Sequence, residues 1–426
     1  MGSRMNTRPS APTRRSVLAA AGTAGLSIAI AGPAGADRRP AGAERTTAGH
    51  HEGRVRLTLP KPTGPHRIGT TSLHLIDRSR RDPWSPSSAP RELMVSLWYP
   101  TRNTGGRRRA RWLQPSAASL YKQQISRGLH VSLDDVDFPL THAFQNTPVT
   151  RDRGGGHPVV LFSPGYGSMR ELGTALVEDL ASRGYVVVTM DHTHEAQIVE
   201  FPSGRLVLQR TPAEPNDAAI ARASRVRRDD TRFVLDELAA LNAGKNPDAE
   251  HCRLPHGLPG SLDLSRTGMF GHSLGGSTAA ETMARDRRIL AGADLDGSVG
   301  RVVAATGLDR PFLLMANADH GRDNDPSWAK FWSHLRGRRY QLRLLGSGHH
   351  TFTDLAPLAQ QLIRALPVPP KVVAELTDRV GTIGADRAIA VQRAYLGAFF
   401  DLHLRHRDGR LLSRPSPRYP EIEFVP

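Results

Sequence analysis

Short apolar stretches alternate with amphipathic ones over most of this chain. Segments 92–99 (ELMVSLWY), 158–162 (PVVLF), 185–190, 289–295 (ILAGADL), 311–316 (PFLLMA) and 340–345 (YQLRLL) have the length and apolar content of buried strands. Between them, apolar residues recur at helical spacing. Leu172, Leu176, Val177 and Leu180 form one such face, Val234, Leu238 and Leu241 a second, and Val391, Tyr395, Phe399 and Leu402 a third. A short helix over 327–335 completes the set. From residue 157 onward strand and helix alternate, which predicts an α/β fold with a mostly parallel central sheet and helices on both faces. Segments 73–76 and 92–99 are expected to open that sheet as two antiparallel strands, and 201–208 (FPSGRLVL) reads as a small hairpin.

Elsewhere the pattern is weaker. Residues 101–157 lose periodicity apart from a short helix around 117–125, and are expected to form an insertion, either a flap over a site or a packed surface excursion. In the helix expected at 224–242, Arg227, Arg228, Asp229 and Asp230 are assigned to the solvated side. The expected organisation is one domain over 71–408, a mobile leader over 37–70 and a tail over 409–426.

The amino terminus changes the picture of the mature chain. Thr13-Arg14-Arg15-Ser16-Val17-Leu18 is a twin-arginine pattern, an uncharged Ala/Gly-rich stretch follows to Ile30, and Ala34-Gly35-Ala36 is a cleavage signal. Residues 1–36 are therefore expected to be an export signal of the twin-arginine pathway, and the protein to be secreted. The apolar stretch, about 13 residues, falls short of the roughly 20 that span a bilayer. The single cysteine, Cys252, can form no internal disulfide. The net charge is +16, almost all of the cations being arginine. A basic surface of this kind suits an anionic lipid surface, and with no nucleic-acid-binding motif in the chain nucleic acid is not expected as a partner. The sequence leaves the oligomeric state open.

The chemistry concentrates at 267–276 (TGMFGHSLGG). An apolar run enters Gly271-His272-Ser273-Leu274-Gly275 and small residues follow, an order that reads as strand, sharp turn, helix. Such a turn lifts Ser273 out as a nucleophile, and the flanking glycines let strand and helix backbones approach. A serine hydroxyl needs a base, and the base needs an acid to fix its tautomer. His349, in the Gly-rich loop after the last expected strand, stands in the right order to be that base, with His350 as a competitor. Two strands between Ser273 and His349 each end in an aspartate, Asp296 and Asp319, and spacing alone does not choose between them. The backbone N–H groups of Tyr166, in the loop Ser163-Pro164-Gly165-Tyr166-Gly167, and of Leu274 are the expected oxyanion donors. Asp191-His192-Thr193-His194-Glu195 could suggest a metal site but lacks a third well-spaced ligand, so neither metal nor cofactor is expected.

SPGYG after a strand, GHSLGG, the Leu295-Asp296-Gly297 strand end and His349-x-x-Phe352-x-Asp354 together resemble the platelet-activating factor acetylhydrolase family of α/β-hydrolases, specifically its secreted bacterial relatives, over about residues 70–400. The resemblance implies a calcium- and cofactor-independent esterase or lipase acting on short acyl or phospholipid-type esters, with Asp296 as the acid. The loop and elbow are also similar to cutinases and polyester hydrolases, which would imply the later acid, Asp319. A rival of another class is a non-catalytic lipid-surface-binding protein that keeps the fold and its basic face.

Overall fold

A computed structural model describes residues 54–426 apart from Pro86 and 152–154; the expected export signal and the first part of the leader lie outside these residues. In chain order, β1 (Val55–Arg56) precedes the long hairpin β2 (Arg67–Arg81) and β3 (Pro90–Thr101), which reaches well beyond the two short strands expected there. The supposed insertion then supplies β4 (Arg109–Arg111), α1 (Pro115–Leu129), β5 (Val136–Asp137) and β6 (Leu140–Gln145). The α/β repeat follows: β7 (His157–Ser163), α2 (Thr174–Ser182), β8 (Val186–Met190), the hairpin β9 (Ile198–Glu200) and β10 (Leu206–Leu208), α3 (Asp217–Asn242), β11 (Leu262–His272) and α4 (Leu274–Arg285). The chain continues through β12 (Ile289–Leu295), α5 (Arg301–Thr306), β13 (Phe312–Ala316), α6 (Pro326–His334) and β14 (Arg339–Leu344). It closes with α7 (Leu355–Ala365), α8 (Pro370–Val380), α9 (Ala385–Arg405) and β15 (Ile422–Phe424).

Eleven strands form one sheet in the order β15-β14-β13-β12-β11-β7-β8-β3-β2-β6-β4. The centre, from β14 to β8, is parallel, and its strands are apolar on both sides because both faces are covered. One face packs Val234, Leu235 and Leu238 of α3, Ala279 and Met283 of α4 and Phe331 of α6; the other packs Leu176, Val177 and Leu180 of α2 with Val391, Tyr395 and Phe399 of α9. This is the expected α/β-hydrolase arrangement.

Three boundaries differ from expectation. Residues 54–66, assigned to a mobile leader, are packed: Leu57 and Leu59 are buried against α1 and α7, the Thr63 N–H donates to Asp179 at 2.7 Å, and Arg393 holds the carbonyls of Pro60 and Lys61. Within the 101–157 insertion, residues 109–145 are built into the fold: Leu133, Val136 and Ala143 are buried and β6 pairs with β2 in parallel. The tail adds β15 antiparallel to β14. These segments lack periodicity because each strand is too short to show one.

Candidate active site

Four strand ends meet at the carboxyl edge of the sheet. β11 and β12 run in register with His272 opposite Leu295, so Ser273 and Asp296 leave neighbouring strands at the same level. Ser273 takes φ 53° and ψ −123°, a region that a non-glycine residue enters only where its surroundings enforce it. The surroundings here are glycines: a Cβ on Gly275 would lie 1.9 Å from the Ser163 carbonyl oxygen, and one on Gly271 2.2 Å from the Gly275 carbonyl carbon. Strand, turn and α4 can meet so closely only without side chains at these positions. Ser273 itself is half-buried.

The histidine loop is tied to this turn. His272 is buried and kept neutral by that burial and by the neighbouring His349 and His350, and its Nε2 donates to the backbone oxygen of His349 at 2.9 Å. His349 donates from Nδ1 to Oδ2 of Asp296 at 2.6 Å, and its buried Nε2 has no hydrogen-bond partner among the described residues. Neutral His350, its pKa pushed down to about 3 by burial and by the charges of His349 and Arg379, faces away into the apolar contact between α1 and α8.

The structure brings Asp296, and not Asp319, against His349. Asp319 is exposed, and the bonds it makes run through its backbone, from its N–H to Asn317 and from Asn324 to its carbonyl. The neighbouring His320 instead reaches the site: its Nδ1 donates to Oδ1 of Asp296 at 2.8 Å and its Nε2 to Oδ2 of Asp325 at 3.0 Å. Burial disfavours an ionised Asp296, but hydrogen bonds from His320 and His349, and then their charges, outweigh it and hold the carboxyl well below the usual carboxylate range. Backbone and side-chain N–H groups of Asn317 add two more donors at 2.8 Å each. Asp296 is thus an ionised acceptor fixed from four directions.

Tyr166 packs with Leu274, Ala223 and Ile220, and its hydroxyl donates to the Pro212 carbonyl at 2.8 Å. Leu274 is the first residue of α4, where N–H groups have no intrahelical acceptor. Tyr166 therefore lies against the first residue of the helix that begins at the half-buried Ser273.

One sequence assignment is corrected. Arg227 and Asp230 are not solvated; their side chains are 1% and 0% exposed, since they share the α3 face of Val234 and Leu238. Asp230 stands four residues before Val234 and Arg227 seven, one and two helical turns away, and that spacing was the signal that could have found them. The Asp191–Glu195 loop has its polar groups engaged elsewhere: Asp191 with Arg170, His192 between Ser163 and Asp230, His194 with Asp82, and Glu195 with Arg227. Asp354 is not at the site either; it caps α2, accepting from the N–H groups of Thr174 and Ala175 and from Trp112 Nε1.

Residues 52–377 match the family described as platelet-activating factor acetylhydrolase, isoform II. A probable 1-alkyl-2-acetylglycerophosphocholine esterase of Arthroderma benhamiae is 31% identical over 86% of this chain and 93% of its own. A platelet-activating factor acetylhydrolase of Cavia porcellus is 23% identical over 70% of this chain and 69% of its own. Among solved structures, a ferulic acid esterase from Streptomyces cinnamoneus superposes with a TM-score of 0.70 at 35% identity, over 87% of this chain and 99% of its own. With an elbow at Ser273, an Asp296–His349 pair beside it and a family match across most of its length, the chain belongs to the platelet-activating factor acetylhydrolase, isoform II, family of carboxylic ester hydrolases.

Proposed function

We propose that the protein is a secreted serine esterase that hydrolyses short-chain acyl or phospholipid-type esters through Ser273, His349 and Asp296. The observation that carries this reading is the 2.6 Å contact of His349 Nδ1 with Asp296, which leaves Nε2 unpartnered next to the elbow. In the proposed reaction Ser273 Oγ attacks the ester carbonyl carbon while His349 Nε2 takes its proton. The N–H groups of Tyr166 and Leu274 hold the oxyanion. Collapse of the tetrahedral intermediate expels the alcohol, which receives the proton from His349, and leaves an acyl-Ser273 ester. Water, deprotonated by His349, then repeats the addition and releases the acid. Asp296 stays ionised throughout and stabilises the imidazolium. The twin-arginine pattern at residues 13–18 and the net charge of +16 support export and docking on anionic lipid.

A second substrate reading, esters of ferulic acid, is favoured by the name and the 35% identity of the solved ferulic acid esterase. One experiment addresses both. Purified protein is assayed on p-nitrophenyl acetate to palmitate, an acetylated ether phospholipid and methyl ferulate, alongside Ser273→Ala, Asp296→Asn and Asp319→Asn. Ser273→Ala should be inactive, Asp296→Asn should fall by about 10³ to 10⁴ in kcat, and Asp319→Asn should stay near wild type. A still-active Ser273→Ala sinks the mechanism, and preference for methyl ferulate replaces the phospholipid reading with the second one.

A further inference from the structure

Arg227 is a buried arginine in α3 with no place in the proton transfers above. All five of its N–H donors are spent on two targets. Nε and one Nη2 hydrogen hold Glu195, with Nε at 2.8 Å from Oε2. The remaining three hold the end of β7 and the loop that follows it: Nη1 donates to Ser163 Oγ at 3.2 Å and to the Pro164 carbonyl at 2.6 Å, and Nη2 to the Gly165 carbonyl at 2.9 Å. Glu195 has no exposed side-chain surface and Arg227 only 1%, so the grip is shielded from water.

The third bond has a geometric consequence. The Gly165–Tyr166 peptide is planar and trans, so the Gly165 C=O and the Tyr166 N–H point in opposite directions across one rigid unit. Whatever fixes the carbonyl also aims the N–H. Arg227 fixes it from the α3 side, and Ser168 N–H adds a second bond to the same oxygen at 3.0 Å. Gly165 has no Cβ to resist rotation of this unit, and a Cβ there would lie 2.9 Å from His272 Nδ1, so glycine is kept and the orientation has to come from elsewhere. Behind the loop, the Ser163 hydroxyl donates to His192 Nε2 at 3.0 Å, and His192 Nδ1 donates to Asp230 at 3.0 Å. These residue types repeat those of the proposed triad, but Ser163, His192 and Asp230 are each at most 1% exposed, so they brace the loop and meet no substrate.

We propose that Arg227, held by Glu195, is a positioning residue for the reaction: by fixing the Gly165 carbonyl it sets the direction of the Tyr166 N–H that receives the oxyanion. The proposal rests on the serine-esterase reading, with Tyr166 as donor, and Arg227 itself touches no substrate.

The test compares p-nitrophenyl acetate with its thionoester, in which C=S replaces C=O. Sulfur is a poor hydrogen-bond acceptor, so the oxo/thiono ratio of kcat/KM reports how much the backbone donors contribute, whatever fraction of the protein is folded. Losing one such donor costs about 10² to 10³ in turnover. Arg227→Met should lower kcat/KM on the oxoester by about 10- to 100-fold, with the oxo/thiono ratio falling by a similar factor. Arg227→Lys, which keeps a cation but reaches fewer acceptors, should lie between the two. Arg227→Met combined with Glu195→Gln removes the stranded carboxylate and provides a folded protein for the same ratio if the single variant does not. Glu195→Gln alone, the mildest change, should lower the ratio less. An unchanged ratio in these variants, with Ser273→Ala inactive, overturns this inference and leaves the esterase reading standing. A Ser273→Ala protein that still turns over both esters overturns the esterase reading and this inference with it.

Discussion

His320→Gln removes a cation that two carboxylates hold in place. The His320 ring stands between Asp296 and Asp325 with 17% of its side chain exposed, tilted against Trp328 at a centroid distance of 4.3 Å. Burial disfavours its charged form, but hydrogen bonds to Asp296 and Asp325, reinforced by their charges, raise its pKa from 6.5 to about 10. At about 1.36 kcal/mol per tenfold change in proton affinity, that rise sets a ceiling of about 5 kcal/mol on the pH-dependent stability from this one group. The folded value lies above the unfolded one, so the contribution is fully present below about pH 6.5 and is lost as pH rises through about 10. Urea unfolding of wild type and His320→Gln at pH 6, 8 and 10 measures it. The wild type should exceed the variant by several kcal/mol at pH 6, and the gap should narrow by about 3 to 5 kcal/mol by pH 10. Tyrosine and arginine titrations are common to both proteins and cancel in the difference. A gap that stays constant with pH would show that His320 is neutral in the fold and refute the reasoning.

Two further predictions concern the backbone and the leader. Gly275→Ala places a Cβ against the Ser163 carbonyl, a backbone atom that cannot move without opening the elbow, and should cost about 3 kcal/mol or more with loss of activity, read by thermal melting and ester turnover. Leu57→Ala should cost about 2 to 4 kcal/mol in denaturant unfolding, because the residue is 3% exposed within the α1–α7 cluster; a change below about 0.5 kcal/mol would mean that residues 54–66 are dispensable.

Much of the centre of the fold was legible because its signals are local. Strands such as 158–162 and 312–316 are buried on both faces and read as unbroken apolar runs, and the glycines of the elbow stand two positions either side of Ser273. The choice between Asp296 and Asp319 was not legible from spacing, since both end strands of the same sheet, and only the family resemblance favoured Asp296; in the fold it depends on the register of β12 beside β11 and on Asn317 and His320 closing around one carboxylate. The roles of Arg227, Glu195 and Asp230 were hidden for a different reason. Charged residues in a helix usually face water, and only the long-range pairing of α3 with the loop after β7 and with Arg91 of β3 makes their burial tolerable. Short strands at the sheet margins, β4, β6 and β15, are specified by partners far away in sequence and leave no periodic trace.

The place of β15 bears on how the protein is made. A ribosome delivers the chain from the amino end, so β14, whose carboxyl end leads into the His349 loop, emerges with its outer backbone groups bare. They stay bare until 422–424 arrive, anchored by the pairing of Arg387 with Glu421. During that interval the strand is a template for any extended segment of another nascent chain. Translation that stops just short of Ile422 would yield a polypeptide holding Ser273, Asp296 and His349 together with an open, self-associating margin, so the hazard of a truncated product is aggregation before it is loss of chemistry.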